Sequence, residues 1–302
     1  MRIVITGSHG LIGSALVTAL RASGHDVVKL VRSRPQAPDE VQWDPTGFVG
    51  GPLGSIDTDA LGVVDAAVNL AGAGVGDKRW NDGYKREIHD SRTVGTATLV
   101  AALTAMDPLP KVLVSGSAQG VYGDRGDEVL TEDSAPGESF LADVVLDWEA
   151  AARPAAEAGI RVVHPRTSLV MAPHGGAFQP LARLIKLGLG GPLGNGKQWW
   201  SWITLPDTVA ALQHMLDSDL SGPVNLASPE PARNRELIGA LAAALHRPAL
   251  LPAPSFALRA AVGEFAGEIL ASARLSPQKL TDSGFGFAHP TVESAARWFA
   301  DS

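Results

Sequence analysis

The stretch that most constrains this chain is "RIVITGSHGLIGSALVTALRASG", residues 2–24. A β-branched run ends in glycines at 7, 10 and 13, and helically spaced apolar residues begin at Leu11 and close at Gly24. Each glycine has a physical reason. Gly7 permits a sharp turn, Gly10 lets backbone approach a ligand, and Gly13 lets the helix pack closely on the strand. The free N–H groups and the dipole at the helix start then favour a pyrophosphate. The pattern predicts a dinucleotide site at the N-terminus.

The strand signature recurs in "DVVKLV" (26–31), "AAVNLA" (66–71), "KVLVSG" (111–116) and "RVVHPR" (161–166), with helical stretches at 82–106 and 141–158. Buried strands joined by helices imply right-handed βαβ units. The expected fold class is therefore α/β: a Rossmann-type doubly wound parallel sheet with a smaller interleaved C-terminal α+β domain. Residues 1–166 form the dinucleotide-binding part in this reading, and 167–302 the mainly substrate-binding part. A segment at about 203–228, with a helix at 206–217 and a strand at 223–228, returns to the first. A further helix is expected at 233–246, opened by "NRE", and another helical run at 256–273.

Composition excludes several functions. There is no cysteine, so disulfides, thiol catalysis and Cys-based zinc sites are out. The eight histidines lack metal-ligand spacing, and no metal is expected. A net charge of −7 argues against nucleic acid and anionic membrane as partners. The run "FALRAAVGEFAGEILASA" carries Arg259, Glu264 and Glu268 and is not a membrane span. The start has no signal-peptide pattern, so a cytoplasmic protein with a small-molecule substrate is expected, monomer or homodimer.

Strand two discriminates between cofactors. An NAD site presents an acid there for the ribose 2′-hydroxyl. "KLVRSR" offers Arg32, Ser33 and Arg34 instead, and no acid until Asp39. A guanidinium pairs with a 2′-phosphate that a carboxylate would repel, so NADP is favoured over NAD.

Taken together, "TGSHGLIG", "NLAG" (69–72), "TVGTATLV" (93–100) and "SAQGVYG" (117–123) resemble the extended short-chain dehydrogenase/reductase superfamily. More narrowly, "KRWNDGYKREIHDSR" (78–92), "GDRGDEVLTEDS" (123–134), "GGPLGNGKQWWSWI" (190–203) and "GPVNLASPEPARNREL" (222–237) resemble the YfcH-type family of NAD(P)-dependent, epimerase-like proteins. The resemblance implies a Rossmann domain, bound NADP and a C-terminal substrate domain, but no particular substrate. It implies a cofactor set of Gly7, His9, Gly10, Leu11, Ile12, Arg32, Ser33, Arg34, Leu70, Ala71, Gly72, Arg92, Ser115 and Arg166. Arg166 is alternatively a substrate-anion contact or half of a structural ion pair.

Members of the superfamily use a serine or threonine with a Tyr-x-x-x-Lys pair. Ser117 matches the serine, but the helix that should carry the pair reads "FLADVVLDWE" (140–149). No tyrosine follows Tyr122, and the first lysine after Lys111 is Lys186. Three readings stay open. Asp143 and Asp147, or a cation among Lys78, Arg79 and Lys85, replace the pair; or Tyr122 donates the proton beside Ser117; or the protein binds NADP(H) as a non-catalytic redox sensor. On the substrate side, Arg79 beside Trp80 suits a planar group. Gln198, Trp199 and Trp202, after a glycine-rich segment, offer an amide and stacking surface, with one tryptophan of the group expected in the core. Asp207 is expected to cap a helix.

Overall fold

The computed structural model describes residues 1–46 and 53–302. The first strands are β1 (Arg2–Thr6), β2 (Asp26–Val31), β3 (Glu40–Asp44), β4 (Ser55–Ile56), β5 (Ala66–Asn69), β6 (Val112–Ser115), β7 (Ser117–Ala118) and β8 (Val129–Leu130). They are followed by β9 (Arg161–Thr167), β10 (Leu169–Met171), β11 (Trp199–Trp200), β12 (Trp202–Thr204), β13 (Gly222–Leu226), β14 (Ala232–Arg233) and β15 (Arg274–Leu275). The helices are α1 (Leu11–Ala22), α2 (Thr58–Leu61), α3 (Asp82–Thr104), α4 (Phe140–Ala151), α5 (Arg153–Glu157) and α6 (Phe178–Lys186). After them come α7 (Leu205–Asp217), α8 (Asn234–Ala244), α9 (Ser255–Val262), α10 (Ala266–Leu270), α11 (Gln278–Asp282) and α12 (Val292–Asp301).

Among the described residues, one nine-stranded sheet runs in the order β13-β9-β6-β5-β1-β2-β3-β4, with β7 alongside β9. Every pairing in it is parallel except β3 with β4. Alternation along β1 divides the core. Ile3 and Ile5 pack with Leu16 and Leu20 of α1 and Leu212 and Met215 of α7. Val4 points the other way, onto Leu99 and Leu103 of α3 and Ala155 of α5. Each such leucine removed from water contributes about 1.5–3 kcal/mol. The chain winds outward from β1 in both directions, so the switch point lies between β1 and β5, at the carboxyl ends of their strands.

A buried hydroxyl-amide network fixes that point. Thr6 Oγ1 donates to Asn69 Oδ1 at 2.6 Å and accepts from the backbone N–H groups of Leu70 and Ala71 at 3.1 Å. Asn69 Nδ2 and Trp148 Nε1 both donate to Thr96 Oγ1, at 2.8 and 3.0 Å. Four elements are thereby held in one arrangement: β1, β5, α3 and α4. A second core gathers Phe178, Trp200, Trp202, Leu237, Leu241 and Phe299 from α6, β11, β12, α8 and α12. Residues 222–226, although late in sequence, are an edge strand of the large sheet.

Some elements differ from expectation for local reasons. The helix expected over 141–158 divides at Ala152, because Pro154 has no N–H and opens a new helix instead. The run at 256–273 breaks at Gly263, whose φ of +68° a helix does not accept. Asp207 is the third residue of α7 and Thr204 is its N-cap. The Asp207 carboxylate instead accepts the backbone N–H groups of Ala288 and His289, at 2.7 and 3.0 Å, and so anchors the C-terminal segment.

Candidate functional site

The turn after β1 is a surface of bare backbone. A Cβ at Gly7, where φ is +68°, would stand 2.7 Å from the Leu70 carbonyl; one at Gly13 would stand 2.2 Å from the Gly7 oxygen. At Gly10 the nearest atom would be 3.3 Å away. Helix α1 therefore begins against the β1 turn with nothing between them. Its N-cap, Gly10, supplies no side-chain cap, and its first turn holds no acid. Those N–H groups, at the positive end of the helix, suit an anion.

Beyond the cradle, the end of β2 is basic. Arg32, Ser33 and Arg34 are exposed, and the two arginines have no ion-pair partner among the described residues. The nearby acids are already engaged: Asp39 pairs with Arg21 and with Lys29 at 3.2 Å, and Glu40 with Lys29 at 2.9 Å. Arg32 also lines a cavity of about 600 Å³ with Gln42, Trp43, Asp44 and Pro45. Sequence reading missed that wall, because "EVQWD" is too short and polar to read as a strand. His9 is exposed with its Nε2 4.0 Å from Glu40. Leu11 touches the segment around Gly175, and Ile12 packs at the rim of the first core.

On the far side of the switch point, Leu70, Ala71 and Gly72 leave β5 beneath Arg92 of α3. The Arg92 guanidinium would lie 3.2 Å from a Cβ at Gly72 and stands over the Trp148 ring at 5.2 Å. Its hydrogen bond goes to the Ile88 carbonyl at 3.0 Å. Without a carboxylate partner, burial lowers its pKa to about 10. Ser115 ends β6, fully buried. Its Oγ, Gln119 Oε1 and Ser168 Oγ have no hydrogen-bond partner among the described residues. Native interiors rarely leave such atoms unpaired; Ser115 is the last residue of β6, Gln119 follows β7 and Ser168 follows β9.

Ser117 opens β7 and lies opposite Arg166 in the sheet register. Its hydroxyl donates to Glu149 Oε1 at 2.6 Å. Arg166 grips the same carboxylate through Nε to Oε1 at 3.0 Å and Nη2 to Oε2 at 3.1 Å. Burial opposes ionisation of Glu149, but the Arg166 guanidinium and the Ser117 hydroxyl outweigh it and hold the carboxyl below the ordinary range. Glu149 is the residue that sequence reading missed. It is the last letter of the very segment, "FLADVVLDWE", that lacks the tyrosine and lysine.

Several expectations are corrected by these placements. Arg166, expected at the cofactor or a substrate anion, is the buried ion-pair partner of Glu149, with Nη1 donating to Tyr122 Oη and the Glu132 carbonyl, both at 3.0 Å. Tyr122 is fully buried and donates to Asn225 Oδ1 at 2.7 Å, and burial raises its pKa. That hydroxyl is enclosed by protein and is no proton donor beside Ser117. Asp143 and Asp147 lie on the exposed face of α4, and Asp147 meets His89 at 3.1 Å. Lys78 pairs with Glu87 at 2.9 Å and Lys85 with Glu264 at 2.6 Å, so neither is an unpaired cation.

The substrate-side residues fare similarly. Arg79 donates to the Ala260 carbonyl at 3.1 Å, tying its loop to α9. Trp80 packs its ring against Phe140 and Phe265, at 5.2 and 5.5 Å, and donates to the Val75 carbonyl at 2.8 Å. The tryptophans after the glycine-rich segment lie in β11 and β12, each paired in a two-stranded sheet. Trp202 is fully buried, and Gln198 is buried and donates to the Leu193 carbonyl at 3.1 Å. The guanidinium groups of Arg233 and Arg274 both lie over the Trp199 ring, at 4.0 and 4.5 Å, and its Nε1 donates to Asp127 at 2.7 Å.

This geometry meets known proteins at one place. A family model described as the NAD dependent epimerase/dehydratase family matches residues 3–227. The chain belongs to that family. The extended short-chain dehydrogenase/reductase resemblance thus holds, with the epimerase-family match covering β1 through β13. A second model, a domain of unknown function, DUF1731, matches residues 253–299. An epimerase family protein of Mycobacterium bovis is 43% identical over 295 residues, 97% of this chain and 95% of that one. The crystal structure of the human epimerase family protein SDR39U1 with NADPH superposes with a TM-score of 0.90 at 32% identity, covering all of both chains. That of a nucleoside-diphosphate sugar epimerase from Corynebacterium glutamicum gives 0.79 at 34% identity, covering 98% of this chain and 57% of that one. Among the described residues, no helix is long and apolar enough to cross a membrane.

Proposed function

We propose that this epimerase-family chain is an NADP(H)-dependent oxidoreductase of the epimerase kind, acting on a hydroxyl of a small polar, nucleotide-linked substrate. In this reading residues 1–166, with the returning segment near 203–228, serve the cofactor, and 167–302 mainly face the substrate. The observation that carries it is the side-chain-free cradle of Gly7 and Gly13 at the switch point, next to a strand end that is basic rather than acidic. The residues present fit the cofactor. The α1 N-terminus would take the pyrophosphate, Arg32 and Arg34 the 2′-phosphate, and Ser115 and Ser168 offer unpaired polar atoms nearer the sheet. When bound, the nicotinamide supplies a hydride acceptor and donor.

The chain's own contribution is to orient and to exclude water. The Thr6–Asn69–Thr96–Trp148 network keeps the loop after β5 rigid beneath Arg92. Ser117 then marks where a reacting oxygen is held. NADPH in the human structure and the nucleoside-diphosphate sugar named for the Corynebacterium epimerase support the cofactor and the substrate class. One observation favours a second reading, a non-catalytic NADP(H)-responsive protein: α4 carries neither tyrosine nor lysine. Titration calorimetry with NADPH and NADH tests the cofactor assignment. NADPH should bind at least about tenfold tighter, a difference of about 1.4 kcal/mol. Equal affinities would remove the 2′-phosphate argument.

A further inference from the structure

The Ser117–Glu149 hydrogen bond reverses the polarity expected at this position. A serine that orients a carbonyl must donate its proton to the substrate oxygen. Here the Ser117 proton is held by Glu149 Oε1 at 2.6 Å, the range of a charge-assisted O–H···O bond. Ser117 Oγ therefore offers its lone pairs, and a lone pair accepts from a hydroxyl. Both carboxylate oxygens are gripped by Arg166, so Glu149 does not rotate away from the serine. The groups facing Glu149 are Arg166 and His164 on β9 and Ser117 on β7, with Tyr122 behind Arg166.

We infer that Ser117 and Glu149 form a proton-accepting couple, with Arg166 as its positioning residue, in place of the missing tyrosine and lysine. The inference rests on the oxidoreductase reading above. In the oxidative half, the substrate hydroxyl proton passes to Ser117 Oγ as the Ser117 proton passes to Glu149 Oε1. The C–H electron pair leaves as hydride to the oxidised nicotinamide, and a carbonyl forms. In the return half, the same proton goes back through Ser117 to the new alkoxide. Glu149 is held ionised, so the proton it stores comes from the substrate and returns to it. That suits a redox-neutral inversion at carbon better than a net reduction, which needs a proton from solvent in every turnover.

The test uses the full chain labelled with ¹³C-glutamate, the Glu149 carboxyl signal being identified by its loss in Glu149→Gln. In Ser117→Ala, which keeps the Glu149–Arg166 pair, the carboxyl should titrate at higher pH than in the wild type. Ser117→Thr should restore the wild-type titration. With NADP-loaded protein and a panel of uridine and thymidine diphosphate hexoses, Ser117→Ala and Glu149→Gln should each lower kcat about 100-fold with little change in KM. The double variant should be no slower than either, since the two groups act as one. Melting temperatures identify any variant that loses activity by unfolding. An unchanged Glu149 titration in Ser117→Ala overturns the couple, as does a folded Glu149→Gln that keeps its kcat. If the titration responds but no sugar reacts with the wild type, the oxidoreductase reading fails while the hydrogen-bond polarity stands.

Discussion

Replacing Gly13 by alanine puts one methyl group where the account says none fits. The new Cβ would lie 2.2 Å from the Gly7 oxygen and 2.9 Å from the Gly7 carbon. Ordinary contact begins near 3.4 Å, so helix and turn must separate by about 1 Å. Both neighbours are backbone, and no side-chain rotation relieves the overlap. Overpacking of this kind costs about 1–3 kcal/mol. At roughly 2–4 °C per kcal/mol for a chain of this size class, the melting temperature should fall by roughly 2–12 °C. The effect on ligand should be larger than the effect on fold. The displaced backbone is the proposed pyrophosphate surface, so NADPH affinity should drop at least about tenfold, about 1.4 kcal/mol. Thermal unfolding with and without NADPH, together with fluorescence titration, measures both. Gly239→Ala in α8 meets nothing within 4 Å and serves as the control; it should hold or raise stability and leave binding alone. Wild-type NADPH affinity in a folded Gly13→Ala protein would refute the cradle.

Three further outcomes follow from particular contacts. Arg32→Asp should move cofactor preference from NADPH toward NADH, and an unchanged ratio of dissociation constants would count against a 2′-phosphate at the end of β2. Tyr122→Phe leaves Asn225 Oδ1 without its donor and Arg166 Nη1 with the Glu132 carbonyl alone, at a cost of about 1–3 kcal/mol in urea denaturation. A lowered kcat with unchanged stability would instead return the tyrosine to the reacting site. Burial pushes the pKa of His164 below its ordinary 6.5, so below that pH the unfolded chain takes up a proton that the folded chain does not. Stability should therefore fall as pH drops from 6.5 through the lower folded value, and His164→Gln should flatten this part of the profile.

The glycine turn and the buried strands were legible because periodicity and position carried them. "RIVIT" and "RVVHPR" are β-branched runs of the length buried parallel strands require, and each forms the strand expected. Strand β3 escaped because "EVQWD" alternates polar and apolar residues over only five positions. The chemical site was harder to read for a different reason. Ser117 is recognisable from its neighbours, but its partner Glu149 lies 32 residues away and has no local signal of its own. The tryptophans of "GKQWWSW" looked like stacking surface because side-chain type shows apolar area without showing what covers it. Trp202 is covered by its own core, and Trp199 by two arginines from distant segments. Arg79 and Lys85 illustrate the same limit, since Ala260 and Glu264, their partners, lie some 180 residues downstream.

The measurement that bears most directly on the central claim is nuclear magnetic resonance of nucleoside-diphosphate sugars incubated with the NADP-loaded wild-type protein. The account predicts that a member of the panel will convert to its epimer without net consumption of cofactor, and that Ser117→Ala will slow the conversion about 100-fold. Tight NADPH binding accompanied by no change in any sugar, at any cofactor redox state, would contradict it.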